Sequence, residues 1–226
     1  MVIVPTWPAP QHIKAYTTLR TAWNDTSPRQ FDHALTLPAQ PIWVHQTHSA
    51  IALEASPENQ NQVADATYTA ALNQVCAVLT ADCLPILISD IEGTHVAAIH
   101  AGWRGLASGI IEATLKALPI PPENLLAWLG PAIGPDKFEV RRDVYTIFTQ
   151  DDTESKKAFI PFSNDAWLAN IYELARIRLH RFGVTQIYGG DFCTYHDEKR
   201  FFSYRRDQEK TGRMASLIWI TNEEFV

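Results

Sequence analysis

Three short runs constrain this chain most: VCAVLTADC (75–83), THVAAIH (94–100) and LLAWLGPAIGP (125–135). Each holds an almost unbroken apolar stretch that then gives way to polar, Pro or Gly residues. Runs of that length without alternation fit strands buried on both faces, with ends that emerge at an edge. After the second run, Gly102 and Gly105 lead into a helix whose apolar positions Leu106, Ile110, Ile111, Leu115 and Leu118 keep helical spacing, and IPPEN ends it. A short helix is expected near Val140–Phe148. A longer one is capped by Asn164 or Asp165, carries Trp167, Ile171, Leu174 and Leu179 on one face, and closes at Gly183.

IWVHQTHSAIAL (42–53) is rich in β-formers. As a regular strand it places Trp43, His45 and Thr47 on one face and Val44, Gln46 and His48 on the other, so His45 and His48 point apart. TQIYGG and RMASLIWI read as strands, ILISD continues after Pro85, and FFSYRRD reads as strand or loop. Residues 1–40 are irregular under Pro5, Pro8, Pro10, Pro28 and Pro38, with a short strand in AYTTLRTAW. The expectation is one mixed α/β domain over residues 1–226, with no boundary inside it.

Composition narrows the function. With 46% hydrophobic and 19% charged residues the chain is not of a disordered class. Nineteen Lys and Arg against 25 Asp and Glu leave −6, which gives no global pull towards nucleic acid or anionic lipid. No apolar run approaches the ~18–20 residues of a membrane helix. MVIVPTWPAP lacks a basic region ahead of its apolar residues, and three cysteines make no disulfide framework, so a soluble cytoplasmic protein is expected. Nothing in the sequence sets the oligomeric state.

His48, Cys83 and His100 all lie at or near ends of apolar runs, where strand ends can converge. Two imidazoles and a thiolate suit a borderline-soft ion such as zinc, and three ligands leave a fourth position open. The competing reading is a buried cysteine and hydrogen-bonded histidines. No histidine pair of the HxH type occurs, which disfavours a four-copper cluster while leaving a single copper possible. Asp82, next to Cys83, either orients a ligand, acts as acid or base, or satisfies donors in a turn. Arg104 sits in the glycine-flanked turn IHAGWRGL. Residues 199–213 carry six basic and two acidic side chains, a local +4 that includes Arg205 and Arg206, against −10 for the remaining chain. This concentration suits a small anion such as phosphate, and the interleaved Phe201, Phe202 and Tyr204 could stack a base or sugar. The competing reading is a solvated surface stretch. Asp65, His95 and Cys193 receive no role, and Cys76 is expected in the core.

Five segments together resemble one bacterial family: QTHS (46–49), LTADCLPILISD (79–90), AAIHAGWRGLASGII (97–111), AWLGPAIGPDKFEV (127–140) and RFFSYRRDQEKTGRMASLIWI (200–220). The family has been called multicopper polyphenol oxidoreductase or laccase-like, also peptidoglycan editing factor, and is now read as zinc-dependent purine nucleoside phosphorylases with adenosine deaminase activity. The resemblance implies an α+β, cytotoxic-necrotizing-factor-like fold of mixed sheets flanked by helices. It places a metal on His48, Cys83 and His100. This chain departs by lacking the family's GGVS and NLG segments over residues 20–40, and by carrying Ser49, Asp136 and Lys137 where relatives often have Gly or Cys.

The expected function is therefore a zinc-dependent enzyme acting on purine nucleosides and phosphate. Cys83 and Asp82 are its catalytic candidates, and Arg104, Arg205 and Arg206 its phosphate candidates. The rivals are a copper-dependent phenol oxidase, a factor binding a peptidoglycan precursor, and a thiol hydrolase pairing Cys83 with His100.

Overall fold

The structure is a computed structural model that describes residues 2–22 and 35–222; Pro28 and most of the shortened 20–40 segment lie outside the described residues. A six-stranded mixed sheet forms the middle layer. Its strands are β3 (Ala52–Glu54), β4 (Ala66–Thr69), β6 (Leu84–Asp90), β7 (Val96–Ala101), β8 (Leu125–Leu129) and β12 (Gln186–Gly189), in the order β12-β8-β6-β7-β4-β3. The outer pairs β12/β8 and β3/β4 are parallel, and the inner pairs are antiparallel. On one face lie α1 (Trp103–Ser108), α2 (Ile110–Ala117) and α4 (Ile171–Phe182). Against the other packs an antiparallel sheet of β1 (Val2–Ile3), β2 (Ile13–Thr18), β13 (Met214–Ile220) and β5 (Cys76–Thr80).

This layering explains why the apolar runs do not alternate. Ile86 and Ile88 of β6 pack with Leu106, Ile110 and Leu115 on the helical side, while Leu87 between them packs with Cys76, Val78 and Ile218 of the second sheet. Every residue of β6 is buried, and all are apolar on both faces up to Ile88, with the buried Ser89 and Asp90 hydrogen-bonded at its end. Pro85 lies inside this strand rather than before it.

A third sheet, β9 (Glu139–Arg141), β10 (Phe159–Ser163) and β11 (Ala166–Ala169), in the order β10-β11-β9, accompanies α3 (Arg142–Thr149). It corrects one expectation. Residues 166–169 are strand, and α4 begins only at Ile171, where the Asn170 side chain accepts a 3.1 Å bond from the Glu173 N–H. Trp167, expected on the helix, stacks on Tyr145 with ring centroids 4.3 Å apart. A second correction concerns the helix after Gly102, which is two helices because Gly109 turns left-handed at φ 91°. FFSYRRD contains neither strand nor only loop: Ser203 caps a four-residue helix, α5 (Tyr204–Asp207).

The loops after the parallel strands β8 and β12 are joined through Tyr172 of α4. Its hydroxyl accepts from the Ala132 N–H at 2.8 Å and lies 3.0 Å from the Phe192 carbonyl. Replacing Tyr172 with Phe strands that buried N–H, so Tyr172→Phe should lose about 1–3 kcal/mol of stability. Equilibrium urea unfolding measures this, and an unchanged midpoint would show that the bond contributes nothing net.

Candidate metal centre

Cys83 sits where the chain leaves one sheet for the next. Residues 81–83 form the bend between β5 and β6, and Asp82 adopts a left-handed φ of 86°. Asp82 and Cys83 are thus not successive positions of a strand, and their relation is set by the bend. His100 is the penultimate residue of β7, opposite Pro85 in the register, so the start of β6 and the end of β7 lie side by side. Gly102 follows, and an added Cβ there would stand 2.5 Å from His48 Cδ2 and 3.0 Å from Cys83 Sγ. Only a glycine lets the chain pass so close to both side chains.

His48 arrives differently from expectation. Of residues 42–54 only Ala52–Glu54 is a named strand, with isolated bridges at Ile42 and His45, and His48 itself has φ 63°. The strand-face argument that separated His45 from His48 therefore fails, and both line the same cavity. The turn is held by Asp65, which is fully buried. Its carboxylate accepts from the N–H groups of Thr47 (3.1 Å), His48 (3.0 Å) and Ser49 (2.6 Å) and from the Ser49 hydroxyl (2.7 Å). The same carboxylate lies 2.7 Å from His100 Nδ1. Gln46 ties the segment to β5 by two 2.8 Å bonds with the Leu79 backbone.

The three donors come together: Cys83 Sγ lies 3.6 Å from His48 Nε2, and the ligand atoms of His48, Cys83 and His100 all fall within 4.8 Å of one another. Because Asp65 engages His100 Nδ1, Nε2 is the nitrogen left for a ligand bond, the usual arrangement of a metal-binding imidazole. Burial pushes the Cys83 thiol up, but the facing His100 and His48 override it and hold it at about 6. Burial likewise pushes His100 down, and Cys83 with Asp65 lifts it to about 9. Asp65, which burial alone would raise, is drawn to about 2 by its bonds from His100 and Ser49. A thiolate, two imidazoles and room maintained by Gly102 fit a zinc or copper ion.

These residues form one wall of a cavity of about 650 Å³. Trp103, Phe138 and Tyr204 supply aromatic faces, and Arg104, Arg205 and Arg213 supply charge. Arg104 stacks over Trp103 at 4.2 Å, and Arg205 donates to the carbonyls of Lys137 and Glu139 at 3.2 Å each. None of these three arginines has a carboxylate in an ion pair among the described residues. Arg206 does not line the cavity. Its guanidinium grips Asp207 and the carbonyls of Thr194, Tyr195 and Phe201. Asp82 lines the cavity, and its carboxylate accepts from Thr194 (2.5 Å), Ser203 (3.1 Å) and the Arg205 N–H (2.6 Å), so it fastens three segments together. Sequence reasoning missed Asp65, whose one signal is a lone carboxylate just ahead of the β-forming ATYT, and did not separate Arg213 from its basic neighbours.

The fold and the centre define a class. The chain belongs to the family described as multi-copper polyphenol oxidoreductase laccase, whose model matches residues 25–221. It is 44% identical to the Escherichia coli protein named purine nucleoside phosphorylase YfiH, over 97% of this chain and 98% of that one. It is 43% identical to a Haemophilus influenzae protein named purine nucleoside phosphorylase, over 96% and 98%. Among solved structures, the Neisseria meningitidis protein NMB0706, of family model DUF152, superposes with a TM-score of 0.88 at 39% identity, covering 98% of this chain and 99% of that one. The mixed α+β architecture is thus that of the family. Among the described residues no helix is long and apolar enough to cross a membrane.

Two outcomes follow from this geometry. Gly102→Ala has an alanine-compatible φ of −66°, so the fold should survive while metal affinity falls on the order of tenfold to a hundredfold, read by competition with a chelator. Unchanged affinity would mean that the donors do not close around an ion there. In the metal-free protein near pH ~8, Cys83 is already a thiolate and His100 carries a proton that an ion must displace, so binding should release about one proton. Release should fall away above about 9, where His100 is neutral, and grow below about 6, where the thiol also gives up its proton. Calorimetry in buffers of different ionisation enthalpy counts these protons, and no release near pH ~8 would remove His100 from the ligand set.

Proposed function

We propose that this protein is a metal-dependent purine nucleoside phosphorylase, with zinc held by His48, Cys83 and His100. The observation that carries the reading is one cavity in which this donor set faces three arginines that have no carboxylate partner among the described residues. The names of the relatives support it. About 650 Å³ accommodates a nucleoside with phosphate, within the ~300–1,000 Å³ usual for small-molecule sites. Residues 1–226 act as a single domain in this reading, in the cytoplasm.

Phosphorolysis joins a phosphate oxygen to C1′ of the sugar as the bond from C1′ to the purine nitrogen breaks. Positive charge gathers on the sugar and negative charge on the departing base. Arg104, Arg205 and Arg213 bind the phosphate and orient it, and Trp103, Phe138 and Tyr204 offer faces on which base or sugar can stack. A zinc ion, when bound, supplies Lewis acidity at the cavity wall. Asp82 is a positioning residue, since its carboxylate is engaged by Thr194, Ser203 and the Arg205 N–H. Cys83 acts as a ligand rather than a nucleophile. Adenosine deamination in the same cavity belongs to this proposal, and it consumes no phosphate.

The family's description favours one rival, copper-dependent oxidation of phenols. Incubation with adenosine, with and without phosphate, and with a phenol under oxygen separates the two: ribose 1-phosphate that appears only with phosphate supports the proposal, and oxygen uptake without it overturns the proposal. Charge-assisted hydrogen bonds are worth roughly 1.5–3 kcal/mol, so Arg104→Ala or Arg213→Ala should raise the phosphate requirement about tenfold to a hundredfold. Inosine formation by deamination should stay near parental. Variants that keep the parental ratio of ribose 1-phosphate to inosine across a phosphate series would show that these arginines do not hold phosphate.

A further inference from the structure

A second donor cluster lies outside the cavity. Asp136, in the loop after β8, meets Cys193 and His196, in the loop after β12. One carboxylate oxygen, the thiol sulfur and one imidazole nitrogen all lie within 4.8 Å of one another. His196 Nε2 and the Asp136 carboxylate are in direct contact. Exposed Asp and His side chains often pair at a surface, and such a pair alone would mean little. Here the sulfur is held in place beside them, because the Gly134 N–H donates to Cys193 Sγ at 3.2 Å. Gly134 also clears the space: a Cβ there would fall 2.9 Å from Cys193 Sγ and 3.1 Å from Asp136 Oδ1. Gly102 plays the same part beside Cys83.

We propose that Asp136, Cys193 and His196 form a second, accessory site for a divalent borderline-soft cation of the zinc class. A thiolate and a carboxylate neutralise a divalent ion, and a neutral imidazole completes three donors, with solvent at the fourth position. Tetrahedral zinc requires donors about 3–4 Å apart, given bonds of roughly 2.0–2.3 Å. Asp136 and His196 are both more than half exposed, so their side chains can move that far. Binding deprotonates the Cys193 thiol and releases that proton to solvent.

The ion would bridge the loops that follow two parallel neighbouring strands. Both loops reach the cavity: Ile133 and Phe138 line it, and the Thr194 hydroxyl donates to Asp82. The accessory ion therefore clamps the cavity wall without entering it.

The test uses the full-length, metal-depleted protein and cobalt(II), whose bond to a thiolate gives a charge-transfer absorption band. Of the three cysteines, Cys76 is fully buried with its thiol pushed up to about 12, so only Cys83 and Cys193 can give the band. The wild type should bind about two ions per chain and His196→Ala about one. Cys83→Ala should keep a thiolate–cobalt band, and adding His196→Ala or Cys193→Ala to it should abolish that band. No band in Cys83→Ala at saturating cobalt would overturn the proposal. Equal stoichiometry in wild type and His196→Ala would do the same, and that comparison stands even if Cys83→Ala fails to fold. Failure of the first centre would show instead as a band that survives in Cys83→Ala but is lost in Cys193→Ala.

Discussion

The candidate centre depends on one buried carboxylate. Asp65 precedes β4, opposite His100 of β7, and its own carbonyl accepts the His100 N–H at 2.7 Å. From that fixed position its side chain collects three consecutive backbone N–H groups and turns the chain back so that His48 faces Cys83. A fully buried anion is costly unless it is fully hydrogen-bonded, and this one is. It sets the backbone turn at His48 and the ring orientation of His100, so both histidines are positioned by a single group. Loss of the charge would disturb both at once, whereas loss of either histidine leaves the turn or the strand intact.

Cys83 and His100 were legible in the sequence because they stand at the ends of apolar runs that become β5 and β7, whereas His48 is brought to them by a left-handed turn that Asp65 holds rather than by a strand. Asp65 was not legible, since a carboxylate near a turn has the same appearance whether it is solvated or gathers five donors. The helices show the same limit. Trp167 continues the periodicity of α4 and reads as its first turn, yet stacking on Tyr145 claims it for a strand. The spacing from Leu106 to Leu118 is helical throughout, but Gly109 admits a left-handed residue that periodicity cannot register.

Charge was legible only as a block. Residues 199–213 do concentrate positive charge, yet that block divides by direction: Arg205 and Arg213 face the cavity while Arg206 turns inward to Asp207 and three carbonyls. Adjacent residues at the start of α5 diverge by about 100° around the helix axis. One of them can thus hold the 194–201 loop while its neighbour remains available to a ligand. The basic segment is part scaffold and part cavity wall.

The bend at residues 81–83 carries the chain from the outer sheet to the middle one, and Cys83 stands at that crossing. His100 belongs to the middle sheet, and Gln46 anchors the His48 segment to the outer one. The donor set thereby spans two layers that meet through apolar side chains, tied together at the 81–83 bend and by the Gln46–Leu79 bonds. Apolar residues packed between the two sheets, Leu87 and Val78 among them, therefore help to fix the spacing of the three donor atoms.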